Sequence, residues 1–126
     1  MQAPRRLRRR RRWIETGASN MRVTRLSDHV AFSTDKFLPE LLHGSEGVRV
    51  FLLCLEPGQN LPPRRDAEEV VCYVVEGRVR FREGAEEALL TAGDLTGAAP
   101  GAVRAITAVE RAVVLWIHLA DKDARV

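Results

Sequence analysis

The sequence predicts an all-β, antiparallel fold, a small barrel or sandwich, and three observations carry this prediction. Short runs rich in Val, Leu, Phe and Tyr recur along the chain, as is typical of strands. Turn-forming pairs separate them at Pro57–Gly58, Gly93–Asp94 and Pro100–Gly101. The length of 126 residues, with 45% hydrophobic content, suits one compact domain with one modest core. We therefore predict a single folded domain over residues 21–126.

The first twenty residues have a different composition from the rest. Seven arginines lie between Arg5 and Arg12, and such a block cannot fold by itself. The whole chain has 20 basic and 17 acidic residues, a net charge of +3, whereas residues from Met21 onward have 13 and 16, a net charge of −3. Three interpretations stay open: an arm that binds nucleic acid or anionic membrane, a solvated tail, and a translation start upstream of the true one. We favour the last two, and we expect no nucleic-acid partner for the folded domain.

The segments before residue 56 predict edge strands followed by a central strand. Residues 22–26 and 28–32 alternate weakly between apolar and polar side chains, which favours edge strands. Residues 36–42 are expected to form an extended edge segment, because Pro39 opposes a helix there. The run Val48–Leu55 is apolar on both faces beyond Arg49, as expected of a strand covered on each side.

The stretch from residue 69 to residue 82 predicts a hairpin that turns at Gly77. Beyond the turn, strict alternation places Val79 and Phe81 on one face and three arginines on the other. Acidic residues surround these arginines, which indicates a solvated, mutually paired outer face rather than a phosphate contact. Residues 87–91, 94–98, 103–108 and 112–119 complete a set of about nine or ten short strands.

Two glycine-framed motifs resemble those of the cupin family. Gly58 and Gly77 fit the ends of the first motif, and Tyr73–Gly77 reads YVVEG, close to the usual Tyr-Val-Leu-Glu-Gly. Gly93 and Gly101 fall in register with the second motif. The resemblance implies a small double-stranded β-helix, a jelly-roll-like barrel, and it also implies a homodimer.

The metal ligands of that family are replaced in this sequence. Arg64 and Asp66 stand where the family has its His-x-His pair, Val70 stands where it has Glu, and Arg104 stands where it has the final His. A guanidinium group stays protonated and offers no lone pair, so two converging arginines would repel a cation. We therefore predict that no metal and no other cofactor binds, and that metal-dependent chemistry is absent.

Two interpretations of Arg64, Asp66 and Arg104 remain open. In the first, Asp66 neutralises the arginines and the three residues form a structural plug that ties strands together. In the second, the arginines bind a carboxylate or phosphate, and Val70 and Cys72 provide the apolar wall of a ligand pocket. The predicted function is a metal-free domain without catalytic residues, which binds a small anionic ligand or serves as a sensory or accessory module.

An enzyme is the alternative. Metal-free sugar epimerases of related fold use a His-Asp pair and a tyrosine, so the resemblance implies an isomerase or epimerase that uses Asp66 with His118 or Tyr73. The direction of His118 is undecided from the sequence, and a base must lie within hydrogen-bond reach of the proton that it takes.

The setting of the cysteines and the lengths of the apolar runs bear on the cellular compartment. Cys54 and Cys72 both lie within apolar strand patterns, which indicates buried, reduced thiols. No apolar run approaches the roughly 20 residues of a membrane helix, and residues 1–30 contain no apolar signal-peptide centre. We expect a cytoplasmic protein with no membrane partner.

Overall fold

The computed structural model describes residues 21–120, and within them the chain forms nine strands and one short 3₁₀ helix, Leu26–Asp28. The basic stretch 1–20, for which a disordered tail is predicted, lies outside the described residues. The strands are β1 (Glu40–Gly44), β2 (Val48–Leu55), β3 (Asn60–Arg65), β4 (Glu69–Glu76), β5 (Arg78–Glu83), β6 (Glu86–Thr91), β7 (Leu95–Ala98), β8 (Val103–Ala108) and β9 (Ala112–Leu119).

The strands form two sheets that enclose the core between them. One sheet has five strands in the order β1-β2-β9-β4-β7, and the other has four in the order β3-β8-β5-β6. All strand pairs are antiparallel, so the predicted all-β, antiparallel fold is confirmed. In residues 21–120, no helix is long and apolar enough to span a bilayer.

The interior is built from side chains that alternate along each strand. In β4, Val70, Cys72 and Val74 are each 0% exposed, because every second residue of a strand points to the same face. They pack against the inward side chains of β2, β5, β8 and β9, including Leu53 and Ile106. Each such aliphatic side chain contributes about 1.5–3 kcal/mol by leaving water, and together they hold the two sheets face to face.

The region before β1 differs from its prediction. Residues 22–32 contain no strand, and the edge strands predicted there are wrong. Leu26 and Phe32 instead pack on the outer face of the five-stranded sheet, against Leu52, Cys54 and Val113. The weak alternation thus marks side chains that cover a sheet without joining it. The edge strand expected over residues 36–42 begins only at residue 40, as β1.

The strands on either side of Gly77, β4 and β5, form as predicted, but the predicted hairpin is wrong. β4 belongs to the five-stranded sheet and β5 to the four-stranded sheet, so the chain passes from one sheet to the other at Gly77. Val79 and Phe81 are buried, while the three arginines of β5 are exposed. Arg80 Nε lies 2.9 Å from the Glu87 carboxylate on β6, which confirms pairing on the outer face. The turn needs glycine, because Gly77 has φ +87° and a Cβ there would lie 2.0 Å from the carbonyl oxygen of Arg111.

Candidate functional site

A cavity of about 350 Å³ lies between the two sheets. The five-stranded sheet contributes Phe51, Leu53 and Trp116 to its walls, and the four-stranded sheet contributes Leu61 and Pro62. This volume falls at the lower end of the roughly 300–1,000 Å³ typical of small-molecule pockets. Most of the lining residues are apolar. The charged or titratable ones are Arg49, Arg64, Asp66, Arg104 and His118.

Arg104 is the most deeply buried of these charged residues, with 4% of its surface exposed. It lies directly opposite Arg64 in the pairing of β8 with β3, so both side chains belong to the same face of the sheet. Its Nη2 donates a hydrogen bond to the carbonyl oxygen of Ala99 at 2.9 Å. Its Nε and Nη1 are buried and have no hydrogen-bond partner. An unsatisfied buried donor costs about 1–3 kcal/mol, so this guanidinium group is held at an energetic cost.

Asp66 interacts electrostatically with His118 and with both arginines. Its Oδ1 accepts a hydrogen bond from the backbone N–H of Glu68 at 3.1 Å, and its Oδ2 is 3.9 Å from His118 Nδ1. Burial raises the pKa of Asp66, but that hydrogen bond and the charges of His118, Arg104 and Arg64 outweigh burial and hold the pKa below its ordinary value. Within residues 21–120, no ion pair joins Asp66 to either arginine. The structural-plug interpretation therefore lacks the direct contacts on which it depends.

His118 faces the cavity and is hydrogen-bonded to an acid. The pairing of β9 with β2 and β4 places it opposite Arg49 and Val70. Its Nδ1 lies 3.0 Å from Glu68 Oε1, and the same oxygen accepts a hydrogen bond from Arg49 Nη2. The ring also meets Phe51 edge to face, with centroids 5.6 Å apart and planes at 78°. The imidazole is thus fixed by an acid on one side and an aromatic ring on another.

Glu68 is the site residue that the sequence analysis missed. Glu69, which lies one residue further, begins β4, pairs with Leu119 and is exposed. Glu68 instead lies in the turn between β3 and β4, where no strand alternation fixes the direction of its side chain. The available signal was the spacing of Asp66 and Glu68, because an Asp that accepts from the backbone N–H two residues later folds the chain into a tight turn.

Two of the predicted pocket residues lie deeper than the prediction placed them. Val70 and Cys72 belong to the core and are not among the residues that line the cavity. Burial raises the pKa of the Cys72 thiol to about 12, so it is not a thiolate at neutral pH. Cys54 is also free and buried, as predicted.

Tyr73 does not face the cavity. It alternates with the buried Cys72 and Val74 along β4, and it is paired with Leu115 and Leu95, so its side chain belongs to the outer face of the five-stranded sheet. The part of the enzyme alternative that uses Tyr73 is therefore wrong.

The residues at the family's metal positions do not fit a metal. Val70 is an apolar core residue, and Arg104 brings a buried positive charge to the position of a ligand. Asp66, Glu68 and His118 do bring three possible ligand atoms within 4.8 Å of one another. Of these, however, Glu68 is already ion-paired with Arg49. That the protein binds no metal stays a prediction.

Comparisons with known proteins agree with the motif analysis. A family model described as a cupin domain matches residues 51–118. The solved structure of TT1209 from Thermus thermophilus is similar, with 27% identity and a TM-score of 0.75 over 79% of this chain and 98% of that one. An RmlC-like cupin protein from Desulfovibrio desulfuricans has 25% identity and a TM-score of 0.72 over 79% of this chain and 97% of that one. No curated protein sequence matches the chain.

Proposed function

The chain belongs to the cupin family, and from this premise we propose that its barrel binds a small anionic ligand, without a metal, in the cavity between the sheets. The observation that carries the proposal is the state of Arg104. Its guanidinium group lines the cavity, is almost fully buried, and has two N–H donors without a partner. Buried polar groups are nearly always hydrogen-bonded, and a buried charge is costly without a counter-charge. Asp66 interacts with Arg104 at a distance but forms no ion pair with it within residues 21–120. An anion in the cavity supplies both a hydrogen-bond acceptor and a directly paired counter-charge.

The charges around the cavity support an anion rather than a cation. Arg49 is neutralised by its ion pair with Glu68. No ion pair involves Arg64 or Arg104 in the part of the chain that the structure describes. These two arginines lie side by side on one face of the sheet, and guanidinium groups bind carboxylates and phosphates with paired N–H donors.

The apolar walls restrict the kind of anion. Phe51, Leu53 and Trp116 favour a ligand with a compact apolar body, and the volume of about 350 Å³ limits it to a small molecule. A small carboxylate therefore suits the site. A sensory or accessory role needs only such binding, with no catalytic step. The homodimer implied by the family resemblance stays a prediction, which light scattering of the purified protein tests.

Thermal unfolding with matched ligands tests the proposal. We expect benzoate and acetate to raise the melting temperature, and the uncharged benzamide and acetamide to leave it unchanged. A ligand at 100 times its Kd adds about 2.7 kcal/mol of stability. Arg104→Met should abolish the effect of benzoate. Arg82→Met, which removes an exposed arginine on the outer face of the same four-stranded sheet, should keep it. An equal shift by benzamide, or an unchanged benzoate shift in Arg104→Met, contradicts the proposal.

A further inference from the structure

The hydrogen-bonded pair of His118 and Glu68 has no part in anion binding as proposed above. Its two side chains are 15% and 26% exposed, so the pair is largely removed from water while the imidazole still lines the cavity. His118 lines the same cavity as the unsatisfied Arg104, and Glu68 holds the imidazole from outside the lining. A histidine held in this way has the chemistry of a positioned base.

We propose that the cavity catalyses proton transfer at the carbon next to the carbonyl group of a small oxo acid, with His118 as the base. This inference rests on the proposed anion site, because Arg104 is expected to bind the substrate carboxylate. The substrate class is a 2-oxo or 3-oxo carboxylate small enough for about 350 Å³. The reaction class is enolisation, the step shared by tautomerases, isomerases and epimerases that act beside a carbonyl.

Glu68 is the positioning residue for this base. With a carboxylate oxygen 3.0 Å from Nδ1, the proton of the neutral imidazole is expected on Nδ1. The lone pair is then on Nε2, and we expect this nitrogen to meet the substrate because His118 lines the cavity and its Nδ1 is bonded to Glu68. Arg49 holds the same Glu68 oxygen, and the turn hydrogen bond to Asp66 fixes the backbone that carries Glu68. The acid therefore keeps one tautomer and stabilises the imidazolium that forms during the reaction.

His118 and the arginines have different roles in the proposed reaction. His118 Nε2 takes the proton as the carbon–hydrogen bond breaks, and the electron pair of that bond moves to the carbonyl oxygen to give an enolate. The positive charge of the arginines stabilises the negative charge that develops. The imidazolium then returns a proton to the same carbon, or to the carbonyl oxygen to give the enol. No oxidant, reductant or third reactant is needed, and the apolar residues Phe51 and Trp116 limit the access of water.

Hydrogen–deuterium exchange of pyruvate is the test, because it reports proton abstraction without net reaction. The full chain is incubated with pyruvate in D2O, and loss of the methyl signal is followed by proton NMR. Free imidazole at the protein concentration gives the background rate. We expect the protein to exceed this background by about 100-fold, the lower end of what a positioned base contributes. His118→Gln should return the rate to background while pyruvate, or its isostere oxamate, still raises the melting temperature.

Glu68→Gln separates a positioning role from a structural one. We expect the exchange rate at saturating pyruvate to fall at least about tenfold, with the half-saturating concentration unchanged. A structural defect would change both. Oxamate, which has no exchangeable carbon-bound hydrogen, should inhibit the wild-type rate, and this measurement needs no variant. Binding of oxamate without exchange above imidazole refutes the catalytic inference and leaves the anion site standing. If neither pyruvate nor oxamate raises the melting temperature, the catalytic inference is refuted. The benzoate and acetate measurements then decide the anion site by themselves.

Discussion

Arg104→Met is the substitution that most directly tests whether this arginine serves function at the expense of stability. In the protein without ligand, two buried donors lack partners, and at about 1–3 kcal/mol each they cost about 4 kcal/mol in total. The bond from Nη2 to Ala99 O returns about 2 kcal/mol, the value for a charged donor. Methionine has similar length and no donors. We therefore expect the variant to be more stable than the wild type by about 2 kcal/mol.

Urea denaturation at pH 7 without added carboxylate or phosphate measures this difference. For a domain of this size, about 2 kcal/mol corresponds to a rise in melting temperature of about 8 °C. Arg82→Met is the matched control, and we expect its stability to stay within about 0.5 kcal/mol of the wild type because its side chain is exposed. If Arg104→Met instead loses about 3 kcal/mol or more, the arginine is a net structural element. The reasoning from its unsatisfied donors is then wrong.

Three further predictions concern the turn, the thiol and the acid. Gly77→Ala should lower the free energy of unfolding by about 3 kcal/mol or more in urea denaturation, because the new Cβ would overlap the backbone at Arg111. The control Gly84→Ala, at φ +60° with open space around it, should lower it by only about 1–2 kcal/mol. Equal losses would contradict the steric account. Cys72, whose pKa is raised to about 12 by burial, should react with a thiol reagent only when the protein unfolds, and labelling of native protein would show otherwise. The pKa of Asp66 is lowered in the folded state, so its contribution to stability is present above the unfolded value of about 3.9 and is lost as the pH falls through the folded value. Asp66→Asn should therefore destabilise the protein at pH 7, and this difference should shrink as the pH falls below about 3.9. A difference independent of pH would rule out this linkage.

The sequence alone determined the fold class and most of the strands from Val48 onward, because strand alternation and turn glycines are local signals. The exception is β3 (Asn60–Arg65), which contains two prolines and was not predicted as a strand. Gly77 shows both the strength and the limit of such a signal. Its position between two apolar runs predicted a change of chain direction, but not that the two runs join different sheets. The sequence also placed Arg64 and Arg104 together through the spacing of two motifs. Local alternation failed in residues 22–32, where it arises from side chains that cover a sheet.

Tertiary structure alone decided the composition of the site. Whether the donors of Arg104 have partners depends on which atoms the folded chain brings close to its guanidinium group, and the sequence does not say this. Glu68 lies in a turn, where no period fixes direction, and it meets His118 fifty residues away only because β9 lies next to β4. The pattern of residues gave the barrel its charges, but only their arrangement in three dimensions shows which of them are unpaired, and the chemistry proposed for the cavity depends on that difference.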